Sequence, residues 1–316
     1  MTDELHRLLV RQIRKSNADR NTPPCADEWA TLLDDISRTY KETDADRALL
    51  ERSLELSSAE MQELYARIAD ERDRLQRELE IAMVLQTSLL PGESAHPLFE
   101  VAARMLPASE VGGDYYDVIS AGEHCWFGIG DVAGHGLRPA MIMLMLQSIV
   151  GAVVRADPAA SPTAVLATAN RALWDNIRKR LHTDEHVTCS LLACSTTGNV
   201  RFAGAHEDIL VCRRSGAIEQ IETPGAWLAA VPDVSAMNVD RHLALDPGDT
   251  LVLFTDGITE AMNAARDQFD LPRVIAAIER TRKQPVAAIC DAILDDVKAF
   301  MEKQTDDLTL IVARFR

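Results

Sequence analysis

Four aspartates, each in a short glycine- or acid-rich phrase, constrain this chain more than anything else in it. Asp114 lies in Gly112-Gly113-Asp114-Tyr115-Tyr116-Asp117 and Asp131 in Gly130-Asp131-Val132-Ala133-Gly134-His135-Gly136. Asp256 lies in Thr255-Asp256-Gly257-Ile258-Thr259-Glu260 and Asp306 in Asp306-Asp307-Leu308-Thr309. Three of the phrases adjoin apolar, strand-like runs at 126–129, 251–254 and 308–312. A carboxylate at the end of a buried strand is costly unless it is paired or metal-bound. Several converging on one spot repel one another unless cations sit between them, and hard divalent ions take oxygen ligands of this kind.

Taken singly, each phrase has a plainer meaning. Gly-Gly-Asp is a common loop string. Asp131, following a strand, suits a helix N-cap. Asp256-Gly257 reads as a tight turn, and Asp306-Asp307 as a solvated acidic pair before the last strand. It is the ordered set that is informative, because four coincidences then need one explanation.

Composition narrows the chemistry. With 33 Lys plus Arg against 49 Asp plus Glu, the formal net charge is -16. Nucleic-acid binding needs a basic footprint and is not expected. An anionic substrate gains no long-range attraction and has to be held locally, most simply by metal. The six cysteines, Cys25, Cys125, Cys189, Cys194, Cys212 and Cys290, form no C-x-x-C pair. They read as reduced, mostly buried thiols of a cytoplasmic protein. Residues 1–15 carry charge and no apolar core of signal-peptide length. The most apolar stretch, 139–154, is short for a bilayer span and contains Gln147 and Ser148, so a buried helix is expected and membrane insertion is not.

Three regions follow from the pattern along the chain. Residues 1–44 form a helical N-terminal regulatory segment, broken at Thr22-Pro23-Pro24. Asp27 is expected to cap a helix starting near Glu28 that carries Trp29, Leu32, Leu33 and Ile36 on one face. Residues 45–90 form a linker helix: 44–86 lacks Pro and Gly, and Leu54, Met61, Ile68, Leu75 and Ala82 recur every seven residues. Leu64 and Leu85 fall at the matching d positions, while Ser57, Glu71 and Glu78 weaken that row. This is a coiled-coil period with imperfect d positions, consistent with a homodimer paired through the linker or with one long helix packed on its own domain.

Pro91-Gly92 ends that helix, and residues 91–316 alternate differently. Strands are expected at 99–105, 115–119, 125–132, 187–194, 200–203, 209–213, 217–221, 237–245 and 250–254, with a closing strand to 313. Helices are expected at 136–154, 162–181, 271–279 and 286–301. Runs of strands interrupted by helix pairs indicate an α+β layered domain rather than a βαβ repeat.

From residue 80 to 316 the phrases resemble the metal-dependent protein phosphatases (PPM, type 2C), in particular their bacterial SpoIIE/RsbU-like branch. The resemblance rests on AMVLQTSLLP (82–91), VGGDYYD (111–117), GDVAGHG (130–136), FAGAH (202–206), PGDTLVLFTDGITE (247–260) and DDLTLIVA (306–313). It implies an αββα sandwich with a binuclear Mn2+ or Mg2+ site at one edge. Carried over by position, Asp131 bridges both metals with the Val132 carbonyl as an added ligand. Asp114 holds one metal, and Asp256 and Asp306 hold the other. The implied activity is hydrolysis of phosphoserine or phosphothreonine by a metal-bridged hydroxide, with no phosphoenzyme. The implied partner is a phosphorylated anti-sigma-factor antagonist of the STAS type.

Two departures from the eukaryotic pattern stand out. Where those relatives place a phosphate-gripping Arg, this chain has Ser109 and Glu110, and Arg104 lies further back. Where they carry a His two residues after the bridging Asp, this chain has Ala133, with His135 four residues on. His135 and His206 read as loop-stabilising or functional histidines. Asp117, Glu260 and Asp307 read as groups that orient ligands or water. A second reading is a catalytically silent adaptor that binds phosphoprotein. Against it, all four carboxylates are kept. An all-carboxylate set also argues against a zinc hydrolase, which would recruit His.

Overall fold

The computed structural model describes residues 6–15, 25–91, 96–109, 111–134 and 136–316. The chain divides into two units, 1–76 and 77–316.

In the first unit, α1 (Arg7–Lys15) meets the early turns of α2 (Ala26–Leu89). The Gln12 amide donates to the Asp35 carbonyl, and Lys15 lies 3.6 Å from the Asp35 carboxylate. The start of α2 departs from expectation. The helix begins at Ala26, and the Glu28 carboxylate reaches back to accept the Cys25 N–H at 2.9 Å. Cys25 therefore sits at the N-cap with Glu28 supplying the side-chain half of a capping box, and Asp27 lies inside the first turn. Of the expected apolar face, Leu32 is buried while Trp29 and Leu33 are exposed. Further along, Arg47–Glu51 and Glu63–Arg67 pair at i,i+4 spacing. The heptad residues Leu54, Met61, Leu64, Ile68 and Leu75 all stand exposed, Leu54 at 70%.

The second unit is built on ten strands. They are β1 (Phe99–Leu106), β2 (Tyr115–Ala121), β3 (His124–Val132), β4 (Val187–Ser195), β5 (Asn199–Ala205), β6 (Ile209–Cys212), β7 (Ile218–Ile221), β8 (Arg241–Ala244), β9 (Thr250–Phe254) and β10 (Leu308–Phe315). They form two antiparallel sheets, ordered β1-β10-β9-β6-β7 and β2-β3-β4-β5-β8. The helices are α3 (Leu137–Ala156), α4 (Pro162–Trp174) with a following π-helical turn (Asp175–Leu181), the short α5 (Asp256–Thr259), α6 (Asp270–Thr281) and α7 (Val286–Phe300).

Side-chain alternation places the central strands between two apolar layers. In β3, Cys125, Phe127 and Ile129 point between the sheets, while Trp126 points to α3 and α4. In β10, Ile311, Ala313 and Phe315 face the inter-sheet core, while Leu308, Leu310 and Val312 face α6 and α7. A strand buried on both faces has to be apolar at nearly every position, which is why these strands appear as continuous apolar runs. The result is the αββα sandwich that the family resemblance implies.

The apolar helix α3 sinks Ile142, Met143, Leu146, Val150 and Val154 into the layer above the second sheet. Among the described residues it is the one helix long and apolar enough to cross a membrane, and core packing accounts for that character. Ser161 caps α4 by accepting the Ala164 N–H, with Pro162 at the first helical position. No disulfide joins any of the six cysteines, and all but Cys25 are buried.

Candidate metal centre

The acidic phrases meet at one edge of the sandwich because three of them terminate strands there. Asp131 is the penultimate residue of β3, Asp256 follows β9, and Asp306 precedes β10. Asp114 immediately precedes β2, whose Tyr115 pairs with Gly130 of β3. The β9–β10 register, Phe254 opposite Leu310, brings Asp256 and Asp306 to the same end.

Asp114 is the most enclosed of the four, 2% exposed. Its Oδ2 accepts the Thr255 hydroxyl at 2.8 Å, and Thr255 Oγ1 in turn accepts the Thr309 N–H at 3.1 Å. The Thr309 hydroxyl also favours the charged carboxylate, although it falls short of full hydrogen-bond geometry.

Asp307 holds the loop in front of Asp114. Its carboxylate accepts the N–H groups of Ala108 (2.7 Å), Gly113 (2.6 Å) and Asp114 (3.4 Å). This latch explains two glycines: a Cβ on Gly112 would strike the Asp307 carboxylate, and one on Gly257 would run into the Asp307 carbonyl. Gln86 closes the loop from the other side, donating to the Gly112 carbonyl at 2.7 Å and accepting its N–H at 3.1 Å.

Asp131 is fixed by a chain of hydrogen bonds. Its N–H donates to Thr188 Oγ1 at 3.2 Å, and that hydroxyl meets His206 Nδ1 at 2.9 Å. The other ring nitrogen, Nε2, lies 3.1 Å from the Phe254 carbonyl. A carbonyl can only accept, so the proton sits on Nε2 and Nδ1 accepts from Thr188. Burial lowers the His206 pKa to about 4, so the ring is a neutral pin joining β3, β4, β5 and β9.

The electrostatics are those of crowded anions. Burial, and after it the charge of Asp131, pushes Asp114 well above the usual carboxylate range. Asp131 is raised to about 8, by burial first and then by Asp256, Asp306 and Asp307. Asp256 is raised by burial, Asp306 and Glu260. Asp307 is raised mainly by burial, against the three N–H groups it accepts. Asp131 therefore lies within electrostatic reach of the other three predicted ligands. Among the described residues, however, no three carboxylate, imidazole or thiolate side chains close into a chelate. The donor set nonetheless suits a hard divalent cation. It is all oxygen, and a cation among these groups would restore the anionic forms that mutual repulsion disfavours.

Other residues singled out in the sequence lie elsewhere. Arg104 is turned toward α7, its Nε 3.1 Å from Asp291, and so is spent on an ion pair. Asp117 lies on the face of β2 that turns to α3, where burial raises its pKa to about 6 and the Arg155 charge lowers it. Glu260 acts on Asp256 through its charge. Glu110 and His135 lie outside the described residues.

Thr188, Thr255 and Gln86 position the acidic loops; Thr188 lies outside every sequence phrase, and Thr255 and Gln86 lie inside theirs with no role assigned, because hydroxyl and amide residues are common everywhere. Two clefts flank the centre. One, of about 80 Å3, is lined by Gly257, Glu260, Lys303 and Asp306. The other, of about 400 Å3, is lined by Thr188, His206, Glu207, Trp227 and Asp256.

Comparison with known proteins places this geometry. The chain is 26% identical over 259 residues to the phosphoserine phosphatase RsbU of Bacillus subtilis, covering 77% of this chain and 71% of that protein. The SiaA-PP2C domain of Pseudomonas aeruginosa superposes with a TM-score of 0.67 at 20% identity, over 78% of this chain and 98% of that domain. The catalytic domain of the serine/threonine phosphatase PstP, solved with two manganese ions, superposes with a TM-score of 0.51 at 13% identity, over 69% of this chain and 98% of that one. These two structures share the fold. Residues 121–316, more than half of the chain, match the family described as Stage II sporulation protein E (SpoIIE), and the protein belongs to that family.

Proposed function

We propose that this protein is a Mn2+- or Mg2+-dependent protein serine/threonine phosphatase of bacterial signalling. The observation that carries the reading is the gathering of Asp114, Asp131, Asp256 and Asp306 at one sandwich edge, where burial and the charges of neighbouring acids raise the carboxyl pKa values of Asp114, Asp131 and Asp256. Family membership and the likeness to RsbU support the same chemistry.

In this reading Asp114, Asp131, the Val132 carbonyl, Asp256 and Asp306 are the groups that would hold the cations. When bound, such cations supply a water nucleophile at neutral pH and neutralise phosphoryl oxygens. The chain's own part is orientation. Thr255 fixes the rotamer of Asp114, Asp307 fixes its loop, and the Thr188–His206 chain fixes the backbone at Asp131. His206, held neutral, takes no part in proton transfer near pH 7.

The substrate is a small phosphorylated anti-sigma-factor antagonist of the STAS type, in a cytoplasmic setting. Residues 1–44 act as the regulatory input, 45–90 as a linker pairing two copies through the exposed heptad seam, and 91–316 as the phosphatase domain. A manganese-stimulated turnover assay of the intact chain on phosphoserine STAS proteins tests the assignment, and activity that vanishes on chelation is expected. Binding of phosphoprotein without turnover would instead favour the silent adaptor, a reading against which the complete set of four carboxylates stands.

A further inference from the structure

The larger cleft beside Asp256 has features that holding a phosphate does not require. Trp227, on the connection between β7 and β8, is 50% exposed although it is a large apolar side chain. Its position is fixed rather than incidental. Leu228 and Val187 exchange backbone hydrogen bonds at 2.8 and 2.9 Å, so Leu228 turns into the core and Trp227 turns outward. One face of the indole stacks on His186, with ring centroids 4.8 Å apart and planes 13° from parallel. The loop is further stapled by Asn238, which accepts the Ala226 N–H at 3.0 Å.

Glu207 lines the same cleft. Among the described residues the charged groups that act on its carboxylate are the acids Asp256, Asp208 and Glu260, with no cation beside them. An indole face held rigid beside a carboxylate is a recognition surface for a cationic side chain, because the ring quadrupole and the anion attract the same charge. The chain's net charge of -16 adds to that preference. Asp256, at the inner end of the cleft, ties it to the acidic centre.

We propose that this cleft holds a residue flanking the phosphoserine, and that Trp227 and Glu207 select lysine or arginine there. The proposal rests on the phosphatase reading and names the sequence specificity of that same site.

The test uses the intact chain with manganese and phosphoserine peptides that differ only in the residues on either side of the phosphoserine: Lys, Ala or Glu. A kcat/KM at least tenfold higher for a Lys-flanked than for a Glu-flanked peptide is expected. Trp227→Ala and Glu207→Gln should each reduce that ratio about threefold or more, while Trp227→Phe, which keeps an aromatic face, should retain most of it. Thermal melting of each variant controls for folding. Equal rates for Lys- and Glu-flanked peptides, or a ratio unmoved by both Trp227→Ala and Glu207→Gln, overturns the proposal and leaves the phosphatase reading standing. Turnover of none of the peptides or of any phosphoprotein overturns both.

Discussion

The acidic edge of the sandwich and the long helix α2 each place side chains where an isolated chain would not favour them, and in opposite senses. At the edge, carboxylates are buried together: Asp114 is 2% exposed, and Asp131 is raised to about 8 by burial and its acidic neighbours. Along α2, apolar side chains face water: Leu54 is 70% exposed and Ile68 56%. Buried like charges call for cations, whereas an exposed apolar stripe at seven-residue spacing calls for another apolar helix. The contrast shows how a misplaced group identifies the chemistry of its complement.

The sharpest way to break the comparison is Asp131→Asn. Metal-dependent turnover should fall by more than the roughly 100-fold that outer-shell losses reach. Thermal stability without metal should hold or rise, since one of the repelling charges is gone. A variant that lost stability and kept turnover would show the edge to be structural.

Asp307→Ala is expected to act next most strongly. It leaves the N–H groups of Ala108 and Gly113 without their acceptor and frees the Asp114 loop. Activity should drop about 10–100-fold, and chemical denaturation should show a loss of about 1–3 kcal/mol.

A buried acid with its own cation provides the internal control. Asp249 is 2% exposed, and burial by itself would raise its pKa. The Arg213 guanidinium at 2.8 Å and the N–H groups of Arg214 and Asp246 outweigh burial and hold it below the usual range. A depressed folded pKa gives stability that is present above the ordinary value near 3.8 and lost as pH falls through the folded value. Denaturation below about pH 4 should therefore steepen by up to ~1.36 kcal/mol per pH unit, the slope of one linked proton, and Asp249→Asn should remove that slope. Asp114, Asp131 and Asp256, with raised values, should show no such loss.

The smallest effect on the sandwich is expected from Leu54→Asp with Ile68→Asp. Sedimentation should report loss of self-association, while the sandwich shifts by less than about 0.5 kcal/mol. An unchanged oligomeric state would remove the pairing assigned to the seam.

Much of this organisation could be read from the residues, for identifiable reasons. Strands buried on both faces leave long apolar runs, so β3, β4, β9 and β10 lie close to where the pattern puts them. The expected strand at 237–245 shrinks to Arg241–Ala244, because Met237 and Asn238 close a turn onto the Val234 carbonyl. The helix expected over 162–181 loses its α form after Trp174 and finishes as a π-helical turn. Asp256-Gly257 opens the short helix α5 instead of a bare turn, and Gly257 leaves room there for the Asp307 carbonyl. Among the site residues, the acids were legible because their phrases are ordered and unusual. The Thr188 hydroxyl was not, since it acquires its role only when β4 lies beside β3, and for His206 the sequence left a structural and a functional reading open until β5 brought the ring to Thr188 and the Phe254 carbonyl. Arg104 has the charge to hold a phosphate but points to Asp291, a direction that only the fold decides.

The Asp307 latch also bears on how the protein is made. Strand β10 inserts between β1 and β9, and the residue just ahead of it fastens the loop that carries Asp114. Ribosomal synthesis delivers that segment after every other strand of the sandwich. The loop that carries Asp114 can therefore be fastened only after that segment has been made.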